Sequence, residues 1–232
     1  MVNFRLSLRG YYPVPAQDIL EKMEEGQPPF DEVNLILITH NHKDHLDPVS
    51  VAKHLANNSD TILIAPQQAC EAVKVLEGER FQRFKERIKE ITPDWNSNIE
   101  FSASGVCVKA IRLRHCYEHN YEVQNVGYLI TLDGLKLLHV GDAEATEENL
   151  RACGWLADEA IDIAFLPSWF VFNPVGGELA ARVIRPKRIV TMHMPVDGDP
   201  VWERISSILE WLKTNTNFPE VIVPKETMKR VL

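Results

Sequence analysis

The stretch LILITHNHKDHLDP, Leu35 to Pro48, decides how this chain is read. An apolar run, Leu35 to Ile38, opens into His40, His42, Asp44, His45 and Asp47 within eight positions. Imidazoles and carboxylates at that density are ligand chemistry for a divalent cation. In an extended segment, side chains two apart share a face, so His40 and His42 can reach one ion together. Asp47 suits a helix cap and Pro48 the first helical turn. The chain therefore turns here and aims Asp44 and His45 elsewhere, an arrangement that suits a second, adjacent ion. No cysteine lies in the cluster, which argues against a thiolate structural zinc site. The competing reading is a solvated polar loop.

The same pattern recurs along the chain. The run VKAIRLR leads to His115, KLLHVG to Asp142, and RIVTM to His193. Ligand sites in α/β proteins lie beyond the carboxyl ends of strands, where loops on a rigid base carry function. Four strand ends that each deliver a metal-competent side chain argue for a built site. His119, four residues past His115, competes for the same ligand position and, lying past the strand end, is read as a substrate-side or exposed residue. His139 lies inside a strand and is read as a core histidine, and His54 as a solvent-facing residue of its helix. Trp169, Phe170 and Phe172 read first as core; they also follow a strand end, and Trp169 is the candidate to line a substrate pocket.

Outside these positions, periodicity sets the elements. Val2 to Leu8 alternates like a half-buried strand, and PAQDILEKMEEG reads as a helix ended by Gly26. VNLILIT reads as a strand buried on both faces, followed by a helix in DPVSVAKHLANN and a strand in TILIAP. A helical stretch from Gln67 to Lys89 is broken near Gly78. VCVKAIRLRH, NVGYLITLD and LKLLHVGD are strands, the last two joined by the hairpin turn Asp133-Gly134. ATEENLRACGWLAD is helical with Thr146 as its cap. IDIAFLP, RIVTMHM and EVIVP are strands separated by helices in GGELAARVIRP and DPVWERISSILEWLK. Strand–helix alternation on either side of a hairpin region predicts mixed sheets covered by helices, in one domain over residues 1–232.

Bulk properties fit an ordinary globular protein. At 232 residues, 45% hydrophobic and 25% charged, the chain can bury a sizeable core. A formal net charge of -8 argues against a broad nucleic-acid surface. Cys70, Cys107, Cys116 and Cys153 form no CxxC pair, as expected of reduced thiols in a cytoplasmic protein. No apolar run approaches the length of a membrane span.

THNHKDHLD resembles the HxHxDH signature of the metallo-β-lactamase superfamily, and His115, Asp142 and His193 fall in the order of that superfamily's later ligands. HLDP and RPKRIVTMHM look like the ascorbate-6-phosphate lactonase-like and N-acyl-phosphatidylethanolamine phospholipase D-like members. The resemblance covers Val33 to about Val196. It implies an αββα sandwich of two mixed sheets with a two-metal site in the cleft between them. Carried over by position, His40, His42 and His115 would hold one ion. Asp44, His45 and His193 would hold the other, with Asp142 bridging both. Zinc is the expected ion, with manganese and iron as alternatives. Two ions about 3.5–4 Å apart would acidify a shared water, and Asp44 or Asp142 would orient it or carry its proton. Only 39 residues precede His40, so the first sheet is expected to be short at its N-terminal side and to favour association into a homo-oligomer.

The function these readings imply is hydrolysis of a small-molecule lactone, ester or phosphodiester. A nuclease of the same superfamily and a noncatalytic metal-binding scaffold are the alternatives. The net acidity and the missing aromatic–basic stripe weigh against the first. Unused buried ligands, which would destabilise a core, weigh against the second.

Overall fold

The architecture follows from which face of each strand is apolar. The computed structural model describes residues 15–75, 79–95, 97–117, 121–195, 198–214 and 218–224. Within them a small parallel sheet is ordered β1 (Leu35–Leu37), β2 (Ile62–Ala65), β3 (Ile88–Glu90). A larger sheet holds β4 (Asn98–Ala103), β5 (Val106–Arg112), β6 (Val126–Leu132), β7 (Leu135–His139), β8 (Ile163–Pro167), β9 (Arg188–Met192) and β10 (Glu220–Ile222). Neighbours from β4 to β7 are antiparallel, and those from β7 to β10 are parallel. The strands β5, β7, β8 and β9 therefore run the same way and present their carboxyl ends at one edge.

Alternation along the strands sorts the core into layers. In β2, Leu63 and Ala65 face a cluster with Val51, Leu55, Val73 and Phe84. Those residues belong to α2 (Pro48–Asn57), α3 (Gln67–Lys74) and α4 (Glu79–Phe84). Ile64, between them, packs instead with Val108, Ala110, Val126 and Tyr128 of the large sheet. The opposite face of that sheet offers Leu129, Leu138, Ala164 and Ile189 to a third cluster with Leu150, Phe170, Leu179 and Leu212. These come from α5 (Glu147–Leu150), α6 (Trp169–Phe172), α7 (Pro174–Leu179) and α8 (Val201–Thr214). Helices, sheet, sheet, helices is the four-layer sandwich expected. Two hydrogen bonds tie the sheets together at the exit of β1. Tyr128 Oη donates to the Ile38 carbonyl at 2.8 Å, and the Val126 N–H donates to the Thr39 carbonyl at 2.8 Å.

Local chemistry accounts for several boundaries. The first helix, α1 (Gln17–Glu25), ends at Gly26 with φ 63. Asp47 accepts from the backbone N–H groups of Val49 and Ser50 at the start of α2, and Thr146 from that of Asn149 at the start of α5. Asp133 and Gly134 both take positive φ, 50 and 81, which the tight turn between β6 and β7 requires.

Three readings need correction, and one strand has no counterpart in the sequence pattern. The strand expected from Val33 to Thr39 is only three residues long and half-buried, at the edge of the small sheet among the described residues. The expected helix to Lys89 gives way to β3 at Ile88, because Ile88 pairs with Leu63. β4 went unread, since none of its side chains is fully buried. His54 is buried, not solvent-facing: its Nδ1 meets the Met23 carbonyl at 2.5 Å and braces α1 against α2. Val2 to Leu8 lies outside the described residues. Among those residues no helix is long and apolar enough to cross a membrane.

Candidate metal centre

Every expected ligand except His40, which follows β1 of the small sheet, and its loop neighbours arises from the carboxyl edge of the large sheet. His115 follows β5 and forms an isolated antiparallel bridge with Ala143. Around that bridge the Cys116 N–H donates to the Asp142 carbonyl at 2.8 Å, and the Glu144 N–H to the Arg114 carbonyl at 2.9 Å. Asp142 follows β7 through Gly141, whose φ is 60. His193 follows β9 with φ 51, a region costly for a residue with a Cβ and often found at functional sites.

The side chains form two adjoining groups. Ligand atoms of His40, His42 and His115 lie within 4.8 Å of one another, as do those of Asp44, His45, Asp142 and His193. In the first group the rings stand edge to face, with centroids 4.6 to 4.9 Å apart. In the second, Nε2 of His45 and Nε2 of His193 approach to 2.8 Å, and Asp44 Oδ2 lies 3.8 Å and 3.9 Å from them. Asp142 belongs to the second group, sits with His115 and Cys116 in a third, and also faces the first. Its Oδ2 faces Nε2 of His115 at 3.6 Å and of His40 at 3.8 Å. Its Oδ1 faces Nε2 of His193 at 2.8 Å and of His45 at 3.1 Å.

The donor set fits divalent metal. His40 Nε2 and His115 Nε2 are buried and have no hydrogen-bond partner among the described residues, a state that costs free energy unless a cation uses the lone pairs. His115 Nδ1 donates to the Cys116 carbonyl at 2.8 Å, which leaves Nε2 as the lone-pair nitrogen. Thr39 Oγ1 lies 3.0 Å from His40 Nδ1. Burial, above all, holds His40 well below the ordinary imidazole range and lowers His42 and His115 as well. These rings are therefore neutral, the form that binds metal. Burial alone would raise the Asp142 carboxyl, but His45 and His193 outweigh it and hold Asp142 well below the usual carboxylate range. The same attraction, working against burial, raises His45.

Trp169 borders the second group. Its ring lies 5.4 Å from that of His193, and its Nε1 donates to the Ala143 carbonyl at 2.9 Å. Phe170 is core, and Phe172 packs against that core. His139 is buried as expected; its Nδ1 accepts from the Gly141 N–H at 2.9 Å, and it joins neither ligand group. His119 lies outside the described residues. Cys116 and Asn125 were not singled out from the sequence. Cys116 Sγ lies 3.6 Å from His115 Nδ1, and burial pushes its thiol up to about 12. Asn125 reads in sequence as an ordinary polar residue before a strand, yet its side chain reaches Asp142.

The two-sheet sandwich and the His/Asp centre define a metallo-hydrolase class, and comparison with known proteins agrees. Residues 13–194 match the beta-lactamase superfamily domain. The chain belongs to that family, and its class is that of the metal-dependent hydrolases. A metal-dependent hydrolase of Thermoplasma acidophilum is 27% identical over 213 residues, covering 88% of this chain and 84% of the relative. Among solved structures, Igni18, a metallo hydrolase from Ignicoccus hospitalis, superposes with a TM-score of 0.53 at 18% identity, covering 83% of this chain and 76% of its own. Unliganded yeast PDE1 gives a TM-score of 0.58 at 11% identity over 97% and 78%. At these identities the two structures speak for the fold alone.

Proposed function

We propose that the chain is a dinuclear hydrolase acting on a small-molecule lactone, ester or phosphodiester. The observation that carries the reading is the division of one carboxylate, Asp142, between two ligand groups. His40, His42 and His115 would hold one ion, and Asp44, His45 and His193 the other. Zinc suits these nitrogen and oxygen donors, and manganese or iron would also be accepted. Bound there, two such ions would acidify a water and stabilise the attacking and leaving oxygens together.

The chain's own residues do the rest. Asp142, nearly buried and ionised, keeps a negative charge between the groups at neutral pH. Asp44 is more exposed, with its Oδ2 close to both His45 and His193. It is placed to take the proton from the attacking water and return it to the leaving oxygen. The Trp169 ring forms an apolar wall beside His193 and orients the substrate while excluding bulk water. His115, fixed through its Nδ1 bond to the Cys116 carbonyl, is a rigid ligand rather than a proton carrier.

A hydrolase screen over lactones, esters and phosphodiesters, with zinc, manganese and iron supplied separately, tests the proposal. Turnover of one of these classes that is lost in Asp44→Ala supports it. Hydrolysis of RNA or DNA alone, or no metal-dependent turnover in any class, would overturn it.

A further inference from the structure

Asn125 stands where three strand ends meet. It is fully buried, and both polar ends of its side chain are used. Nδ2 donates to the Val140 carbonyl at 3.1 Å and to the Leu113 carbonyl at 3.4 Å. Oδ1 accepts from the Asp142 N–H at 3.1 Å. Its own carbonyl accepts from the Leu113 N–H at 3.1 Å, and the next residue, Val126, donates to Thr39 at 2.8 Å. The start of β6 is thereby tied to the segments that deliver His40, His115 and Asp142.

Gly141 is shaped around the same side chain. A Cβ at this position would fall 2.1 Å from Asn125 Oδ1 and 2.9 Å from Thr39 Cβ. The close approach lets the chain turn at φ 60 and present the Asp142 N–H to Asn125. Without Asn125, one N–H and one or two carbonyls in a dry site would lose their partner, and the peptide before Asp142 would turn to find others.

We propose that Asn125 is a positioning residue for the bridging carboxylate. It fixes the spacing between the ends of β5 and β7 and the orientation of the Asp142 peptide, so that one carboxylate oxygen reaches each ligand group. This inference rests on the two-ion reading above. Residues that orient metal ligands from behind typically contribute about 10–100-fold in metal affinity.

The test is zinc titration of the full chain against a competing chelator, with thermal melting of the metal-free protein in parallel. Wild type, Asn125→Ala, Gly141→Ala and the double variant are compared. Failure of the wild type to bind two ions would refute the two-ion reading, whatever the variants do. With two ions on the wild type, Asn125→Ala should weaken zinc binding about 10–100-fold while two ions still load at saturation. Gly141→Ala should do the same, because it drives a methyl group into Asn125 Oδ1. The double variant should lose less than the two single losses combined, since the Asn125 contact is common to both, while the Thr39 contact and the positive φ belong to Gly141→Ala alone. Should Asn125→Ala not fold, Asn125→Ser, which keeps a smaller polar group in the same space, is titrated in its place under the same criteria. Lower melting temperatures with unchanged zinc affinities, or losses that add in the double variant, would overturn the proposal.

Discussion

Asp142 and His193 meet through Oδ1 and Nε2 at 2.8 Å, although they leave the large sheet from strands that are not neighbours, β7 and β9. The other oxygen of the same carboxylate faces His115 at 3.6 Å. One side chain thus links two groups that local sequence alone would keep apart.

If that link is a bridge, Asp142→Ala should weaken both ions together. Each dissociation constant is expected to rise by about 100-fold, near 2.7 kcal/mol per ion. Calorimetric zinc titration measures this. Loss of one ion with the other unchanged would count against bridging.

Removing a ligand that belongs to one group should act locally. His42→Ala is expected to spare an ion held by Asp44, His45, Asp142 and His193, and His193→Ala an ion held by the histidine trio. Elemental analysis of each variant at moderate zinc should give about one ion. Complete loss from either variant would mean that the groups do not bind independently.

Burial pushes the His139 ring down to about 3, well under its ordinary value of about 6.5. The unfolded chain therefore takes up this proton first, and the folded protein loses stability as pH falls from about 6.5 toward 3. The slope for one such group is about 1.4 kcal/mol per pH unit. Urea unfolding of the metal-free protein across this range should give a slope shallower by about one proton in His139→Leu than in wild type. Equal slopes would place His139 in a wetter environment than the structure gives it.

His54 holds the Met23 carbonyl from a buried position outside the metal centre. His54→Ala should cost about 1–3 kcal/mol of stability, through an unsatisfied carbonyl and a cavity. Its metal content should match wild type. A melting curve and elemental analysis of the same sample check both halves.

The Trp169 indole both borders His193 and donates to Ala143. Trp169→Phe keeps a ring and loses the hydrogen bond, a change worth about 1 kcal/mol; Trp169→Ala loses the wall as well. With metal content constant, KM should rise in the order wild type, Phe, Ala. A KM that does not move would remove Trp169 from the substrate path.

Much of this arrangement was legible because strands that end in histidine or aspartate announce themselves. The run before His40 is apolar, those before His115, Asp142 and His193 mix apolar and polar residues as strands do, and the ligand follows each within a few residues. What escaped depends on partners far away in sequence. His54 looks like a polar helix residue until the Met23 carbonyl, 31 positions earlier, is placed against it. Asn125 looks like an ordinary polar residue at the start of a strand, and its partners lie 12, 15 and 17 positions away. β4 carries no fully buried side chain, so its pairing with β5 leaves little trace in hydrophobic pattern. β3 is too short, at three residues, to register a period.

The central claim is that this chain holds two ions through one shared carboxylate. Elemental analysis of purified protein, saturated with zinc and freed of excess metal, tests it most directly. The account predicts two ions per chain in the wild type. A value that stays at one or below under saturating metal would contradict it.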